Sequence, residues 1–212
     1  MKLNAVEKFL MNNPIRSFVQ RKKEAVMFEK LGGKTVGQKV LEIGCGRGVG
    51  TEIIIERFGA AEVHAVDLDP EMVELARKRL AAYPAEKLGL SVGDAEAIDA
   101  PDHSYDAVFD FGIIHHIPLW QNSVAEVARV LKPGGRFYFE EVTQRALDRW
   151  FYRTFLEHPK ENRFSGEQFI AELEKNGIEV GKNSAYWLFD DLIIGVGRKT
   201  PFFLQVGGIR GA

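Results

Sequence analysis

Glycines at alternate positions follow a short apolar run and give the chain its first chemical signal. The run 40–43 is typical of the end of a buried strand, and a helical pattern covers 51–58. Between them lie Gly44, Gly46, Gly48 and Gly50. Because glycine reaches positive φ and has no Cβ, such a turn lets bare backbone approach a nucleotide-like ligand. The stretch predicts a binding loop, with a plain tight turn as the alternative.

The spacing of these glycines distinguishes two classes of nucleotide site. A dinucleotide fingerprint requires G-x-G-x-x-G, and counting from Gly44 puts Val49 where the third glycine should be. The sequence instead gives Glu42, Gly44, Gly46 and Gly48 at alternate positions. The loop therefore disfavours an NAD(P) site.

Carboxylates follow the second and third predicted strands. Asp67 ends the second strand, where it can accept hydrogen bonds from both hydroxyls of a ribose, while Asp69 is better suited to cap the next helix. Asp94 follows the third strand, where its carboxylate can accept from the adenine amine and the N–H of Ala95 can donate to a ring nitrogen. A turn aspartate is the alternative for Asp94.

Groups that can take a proton follow the fourth and fifth predicted strands. His115 and His116 come after the fourth strand, and histidine titrates near neutral pH. Glu141 ends the fifth strand and is the other candidate base, although a solvated carboxylate at the sheet edge is the favoured interpretation. Packing or hydrogen bonding at a helix start is the alternative for the histidines. We expect no metal, because two adjacent histidines without a nearby third ligand make a poor site.

The elements that position these residues alternate between strand and helix. Short connections predict a single Rossmann-like α/β domain with a doubly wound, seven-stranded, mostly parallel sheet and a C-terminal antiparallel hairpin, 178–188 and 190–198. An aromatic-rich stretch, 144–157, is predicted to be helical. The predicted divisions are an N-terminal helical lid or cap (1–35), the ligand-binding domain (36–199) and a tail (200–212).

Composition limits the class of protein. The chain has 212 residues, a net charge of −2 and one cysteine, Cys45. A near-neutral charge argues against a general nucleic-acid binder, and one cysteine excludes an internal disulfide. With no signal-peptide pattern and no long apolar run, we expect a cytoplasmic location and no stable membrane insertion. Residues 1–40 are basic, so the N-terminal helix could instead meet an anionic lipid surface peripherally.

Five segments together resemble the successive motifs of class I S-adenosylmethionine (SAM) dependent methyltransferases. The resemblance covers roughly 36–142 and is closest to the small-molecule branch that includes ubiquinone- and menaquinone-type enzymes. The segments are Leu41–Gly48, Val66–Met72, Gly93–Glu96, Tyr105–Phe109 and Leu131–Gly135.

This resemblance implies a SAM site, with S-adenosylhomocysteine as the product, and assigns residues to parts of the cofactor. Glu42 would lie near the ammonium group, Asp67 would hold the ribose with Leu68 against the adenine, and Asp94 with Ala95 would read the adenine edge. The residues implied for the methionine moiety are Gly44, Cys45, Gly46, Gly48, Phe111 and Ile113.

The sequence thus predicts methyl transfer by in-line displacement to a small-molecule or lipid-like acceptor. The alternatives are an NAD(P)-dependent oxidoreductase, a non-catalytic SAM-binding module, and a methyltransferase for nucleic acid or protein. Asp110-Phe111-Gly112-Ile113 stands where an Asn/Asp-Pro-Pro-aromatic motif would indicate that last class.

Overall fold

A mostly parallel sheet forms the centre of the protein, and helices connect its strands. The computed structural model describes residues 13–150 and 158–201. The strands are β1 (Lys39–Ile43), β2 (Glu62–Asp67), β3 (Leu88–Val92), β4 (Tyr105–Asp110), β5 (Leu131–Val142), β6 (Ile178–Glu179), β7 (Ser184–Trp187) and β8 (Leu192–Lys199). The α-helices of the described residues are α1 (Pro14–Val19), α2 (Ala25–Gly32), α3 (Val49–Ile53), α4 (Pro70–Arg79), α5 (Trp120–Val130), α6 (Gln144–Leu147) and α7 (Gly166–Lys175).

The strand order creates a crevice at one edge of the sheet. Strands run in the order β3-β2-β1-β4-β5-β8-β6; the first five are parallel, and β8 joins β5 antiparallel. The order reverses between β1 and β4, and open α/β sheets bind ligands beyond the carboxyl ends of the strands at such a point. The predicted α/β class, with its mostly parallel sheet and antiparallel C-terminal strands, is confirmed.

The described sheet has eight strands where the sequence predicts seven. The stretch 178–188, expected to be one strand, divides into β6 and β7, which both pair with β8. Six positions separate Ile178 from Ser184, but four separate their partners Lys199 and Gly195, so two extra residues loop out. Gly181 allows this turn because its φ is positive, 55°.

Apolar side chains alternate between the two faces of the sheet, as the period of a strand requires. Leu41, Val108 and Phe139 lie in a core cluster with residues of α5 and α7. Their neighbours Val40 and Phe109 lie in the cluster on the opposite face, with residues of α2 and α3. Burying each such side chain contributes about 1.5–3 kcal/mol, so both layers of helices are held firmly to the sheet.

The N-terminal helical segment packs against the sheet through α2. A π-helical turn, Gln20–Glu24, joins α1 to α2, and Phe28 contacts the rings of Phe109 and Tyr138 edge to face. Residues 1–12 of the predicted lid lie outside the described residues, and the lid assignment stays a prediction.

Two other sequence predictions also extend beyond the described chain. In the predicted helix 144–157, α6 is present and residues 151–157 lie outside the description. Most of the predicted tail, 202–212, lies outside it as well. Among the described residues, no helix is long and apolar enough to cross a bilayer.

Candidate functional site

A cavity opens beyond the carboxyl ends of β1, β2, β3 and β4, and we call it the strand-end cavity. All the predicted cofactor-binding residues except Gly48 line it. The described residues that line it are Gln20, Glu42, Gly44, Cys45, Gly46, Arg47, Val49, Gly50, Val66, Asp67, Leu68, Asp69, Met72, Gly93, Asp94, Ala95, Glu96, Phe111, Gly112, Ile113, His116 and Ile117. The lining therefore combines a glycine loop, several carboxylates and an apolar wall.

The glycines of the loop have different surroundings. Gly46 has a φ of 51°, and no atom lies within 4 Å of the place where a Cβ would be. A Cβ on Gly44 would lie 2.2 Å from the Ile113 side chain, and one on Gly48 would lie 2.8 Å from that of Leu80. Gly46 therefore presents backbone to open space, whereas Gly48 allows the loop to pack against the end of α4.

Glu42 is a buried acid in the wall of the cavity. Its side chain accepts a hydrogen bond from the Thr51 hydroxyl, and burial raises its pKa to about 8. A Cβ on Gly50 would lie 2.0 Å from Glu42 Oε1, so this position must be glycine for the acid to fit. The sequence placed Gly50 in the loop, but its spacing did not indicate this contact.

Asp67 connects the glycine loop to the end of β2. Its Oδ2 accepts from the Gly46 N–H at 2.8 Å, and its Oδ1 accepts from the Asp69 N–H at 2.9 Å. Asp69 caps α4 through the Glu71 N–H, as the sequence predicts. A carboxylate oxygen accepts more than one hydrogen bond, so these two bonds do not prevent Asp67 from accepting others.

The end of β3 forms a turn at the far end of the cavity. Asp94 Oδ1 accepts from the Glu96 N–H at 2.9 Å, which leaves Oδ2 to other partners. Ala95 is buried beside it, while Leu68 is 41% exposed. These residues form an apolar slot with a polar edge.

Beyond β4, the two predicted histidines take different positions. His116 lines the cavity, whereas His115 and Glu141 do not. The rings of His115 and His116 are both buried. Burial, and then the neighbouring His115 and His158, holds the pKa of His116 well below its usual range, so its ring is neutral near pH 7. Its Nδ1 is buried with no hydrogen-bond partner among the described residues.

Glu141 is a fully buried carboxylate, so the favoured expectation of a solvated edge group was wrong. It accepts hydrogen bonds from the N–H groups of Ile114 at 2.7 Å and His115 at 3.1 Å, and from His115 Nδ1 at 2.5 Å. The reason is the pairing of β8 along the free side of β5, which places the end of β5 inside the sheet. The sequence alone does not show whether β5 lies at the edge or in the centre of the sheet, because its position depends on this long-range pairing.

Asp110, at the end of β4, lies behind the same loop. Its Oδ1 accepts from the N–H groups of Gly112 and Ile113, each at 2.9 Å. Burial, and then the neighbouring Glu141 carboxylate, raises the pKa of Asp110 well above its usual range. Burial raises the pKa of Glu141 to about 7. Asp110 was not among the predicted site residues, although its position at a strand end could have indicated it.

A third histidine, His158, stands beside the first two. Its ring centroid lies 4.5 Å from that of His116 and 5.5 Å from that of His115. The expectation of no metal rested on the lack of a nearby third ligand, and that premise was wrong. No local pattern revealed His158, because 42 positions separate it from His116.

The N-terminal segment reaches one side of the cavity. Gln20 lines the cavity from the π-helical turn. Arg16 donates to the Phe111 carbonyl at 3.3 Å and to Glu140 at 3.1 Å, and it also pairs with the buried Glu24. Arg21, from the basic run, pairs with Glu52 on α3. These contacts hold α1 over the ends of the strands.

Comparisons with known proteins identify relatives in sequence and in fold. The profile of the methyltransferase domain family matches residues 40–135. A demethylmenaquinone methyltransferase of Tropheryma whipplei is 35% identical over 130 residues, which are 61% of this chain and 52% of that protein. A fatty-acid O-methyltransferase of Mycolicibacterium smegmatis is 34% identical over 109 residues, which are 51% of this chain and 39% of that protein. The chain thus spans about half the length of these relatives, or less.

A solved structure shares the fold over almost the whole chain. The SAM-dependent methyltransferase of Aquifex aeolicus superposes with a TM-score of 0.72, covering 94% of this chain and 100% of that one at 19% identity. Residues 40–135 thus match the methyltransferase domain family, and the chain shares the fold of this SAM-dependent methyltransferase.

Proposed function

We propose that the protein transfers a methyl group from SAM to a small-molecule or lipid-like acceptor by in-line displacement, leaving S-adenosylhomocysteine. The strand-end cavity carries this proposal, because one continuous lining holds the glycine loop, Asp67 and Asp94 in the order in which SAM presents its methionine, ribose and adenine. The match to the methyltransferase domain and the named activities of the two relatives support it.

The residues of the cavity fit each part of SAM. Open space at Gly46 admits the methionine chain against bare backbone, and Glu42 supplies a carboxyl group for the ammonium. Burial raises the pKa of the Cys45 thiol far above its usual range, so Cys45 contributes a neutral wall. Asp67 would accept from the ribose hydroxyls, and Leu68 would cover the adenine.

The adenine edge and the methyl end of SAM meet two further surfaces. Asp94 and the N–H of Ala95 offer one acceptor and one donor to the adenine edge. Phe111 and Ile113 would line the sulfur side, and they shield it from water together with Ile117. Gly48 does not line the cavity, so we assign it to the packing of the loop on α4.

The bound cofactor supplies an electrophilic methyl carbon and a good leaving group. The chain then has to hold an acceptor in line with the reacting bond and exclude water, and such orientation is worth about 7–11 kcal/mol. His116 lines the cavity, where its neutral ring can form a hydrogen bond with the acceptor. Glu141 would position His115 behind it through the bond to Nδ1.

Equilibrium binding followed by an activity screen tests the proposal. We expect calorimetry to give saturable, one-to-one binding of SAM and S-adenosylhomocysteine and no binding of NAD(P)H. A screen of small-molecule and fatty-acid acceptors, with release of S-adenosylhomocysteine as the readout, should then find turnover. Binding of NAD(P)H without SAM would overturn the proposed cofactor. SAM binding without turnover on any class of acceptor would instead favour a non-catalytic SAM-binding module.

A further inference from the structure

Three histidines from two distant parts of the chain converge beside the strand-end cavity, and we call them the histidine cluster: His115, His116 and His158. One ring nitrogen from each lies within 4.8 Å of the other two. We propose that this cluster binds a divalent cation of the Zn²⁺ class. The place of this cation on the acceptor side rests on the proposed function, but its binding does not.

The distances are close to those that such a cation needs. Zn²⁺ binds imidazole nitrogen at about 2.0–2.1 Å, so tetrahedral ligands stand about 3.4 Å apart. The separations in the cluster, within 4.8 Å, exceed this spacing by at most about 1.4 Å. Three protein ligands leave one position open, which is the arrangement of a catalytic rather than a structural zinc site.

The hydrogen bonds of the cluster also match a cation site. Nδ1 of His115 is engaged by Glu141 at 2.5 Å, so the ring would approach the cation through Nε2. A carboxylate behind a ligand imidazole fixes the ring and increases its basicity. The Glu141 carboxylate is fully buried, and so is Asp110.

His116 gives an independent reason to expect a ligand. Its Nδ1 is buried with no hydrogen-bond partner among the described residues, and burying an unpaired polar nitrogen is unfavourable. A cation at this point would satisfy the nitrogen.

The position of the cluster indicates what the cation would do. His116 belongs both to the cluster and to the wall of the strand-end cavity. A cation with an open position there would hold an oxygen of the acceptor next to the methyl group and polarise it. Imidazole ligands favour Zn²⁺, Co²⁺, Ni²⁺ or Cu²⁺ over Mg²⁺ or Ca²⁺.

Cobalt spectroscopy tests the site without any acceptor. The full chain, free of tags and stripped with a chelator, is titrated with Co²⁺, whose visible absorption reports tetrahedral coordination. We expect saturation at one Co²⁺ per chain and displacement by Zn²⁺. His158→Ala should abolish this signal, and Glu141→Gln should weaken affinity by about 10- to 100-fold. His64→Gln is the matched control, because His64 lies outside the cluster and bonds to Tyr105 and Glu62.

The outcomes separate this proposal from the proposed function. S-adenosylhomocysteine binding and the melting temperature are measured on each variant, and His158→Gln replaces His158→Ala if the latter does not fold. No saturable Co²⁺ binding, or full binding by the His158 variants, would overturn the cation site while leaving the SAM site intact. Loss of the Co²⁺ signal in His158→Ala with unchanged S-adenosylhomocysteine binding supports the site, even if the acceptor screen finds no turnover.

Discussion

Nδ1 of His115 lies 2.5 Å from Oε2 of Glu141, and only 4% and 0% of the two side chains are exposed. The same carboxylate accepts hydrogen bonds from the backbone N–H groups of Ile114 and His115. One acid at the end of β5 therefore fixes both the backbone of the loop after β4 and the direction of an imidazole ring.

Glu141→Gln tests this positioning role. The amide still accepts hydrogen bonds through its oxygen, but its nitrogen cannot accept, so at least one of the three bonds is lost. We expect the free energy of unfolding to fall by about 1–3 kcal/mol. With an acceptor from the screen, kcat should fall at least tenfold while KM for SAM changes little. Glu179→Gln, at an exposed position of β6, is the control and should change neither. Equal losses in kcat and SAM affinity would instead mean that Glu141 acts through the general stability of the fold.

Asp67→Ala tests the predicted ribose contact. A hydrogen bond to a charged group is worth about 1.5–3 kcal/mol, so SAM affinity should fall by about 10- to 100-fold. Calorimetry measures this directly, and the melting temperature shows whether the fold is retained. Asp99→Ala, at an exposed position, is the matched control. Wild-type affinity in Asp67→Ala would remove Asp67 from the ribose role.

A pair of glycine variants separates backbone strain from loss of the cavity. Gly46 and Gly37 both have positive φ, 51° and 73°, and a Cβ on either meets nothing within 4 Å. Gly46→Ala and Gly37→Ala should therefore lose similar stability, about 1–2 kcal/mol. Only Gly46→Ala should lose S-adenosylhomocysteine binding, because its methyl group enters the strand-end cavity. Equal binding by the two variants would contradict the proposed place of the methionine moiety.

The ionisation of Glu42 predicts an unusual dependence of stability on pH. Burial raises its pKa in the folded protein from 4.5 to about 8. Between these two values the unfolded state binds fewer protons, so stability contributed by this group falls as pH rises, by up to about 1.4 kcal/mol per unit. Urea unfolding of the cofactor-free protein at pH 6, 7 and 8 measures this slope. Glu42→Gln should reduce this slope. An unchanged slope in the variant would mean that other groups cause the pH dependence.

Arg16 should keep the N-terminal segment closed over the cavity. Removing it leaves the buried acids Glu24 and Glu140 without their cation, and breaking a buried ion pair in this way costs about 3–5 kcal/mol. Since Arg16 retains 16% exposure, we expect the lower end of this range for Arg16→Met. Cleavage by trypsin within 20–24 should quicken, and S-adenosylhomocysteine should dissociate faster. Arg77→Met removes a solvent-exposed ion pair with Glu74. It should change the cleavage rate and the dissociation rate only slightly. If Arg16→Met gave the same cleavage and dissociation rates as Arg77→Met, the N-terminal segment would not close the cavity.

Local patterns predicted most of the fold. The strands around the glycine loop and the cap at Asp69 depend on neighbours within a few positions, so the sequence alone indicates them. The capping box at Ser165, which begins α7, is equally local. The division of 178–188 could not be predicted in this way, because it depends on the register against β8.

The same distinction applies to the candidate site. Glu42, Asp67 and Asp94 lie at strand ends, where the topology of the fold requires ligand contacts, and all three line the cavity. The burial of Glu141 and the approach of His158 depend on pairing and packing between distant segments. Sequence reasoning therefore located the cofactor side more completely than the acceptor side.

Among the residues that the structure describes, all of the lining of the strand-end cavity except Gln20 comes from a single stretch of chain, between Glu42 and Ile117. His158 and the loop around it come from the C-terminal third. Most of the part that would recognise the cofactor thus lies in one stretch, whereas His158 reaches the histidine cluster from outside it. New acceptor specificities can be sought by randomising or exchanging residues 143–164 alone, with S-adenosylhomocysteine binding as the check that the first part is undisturbed.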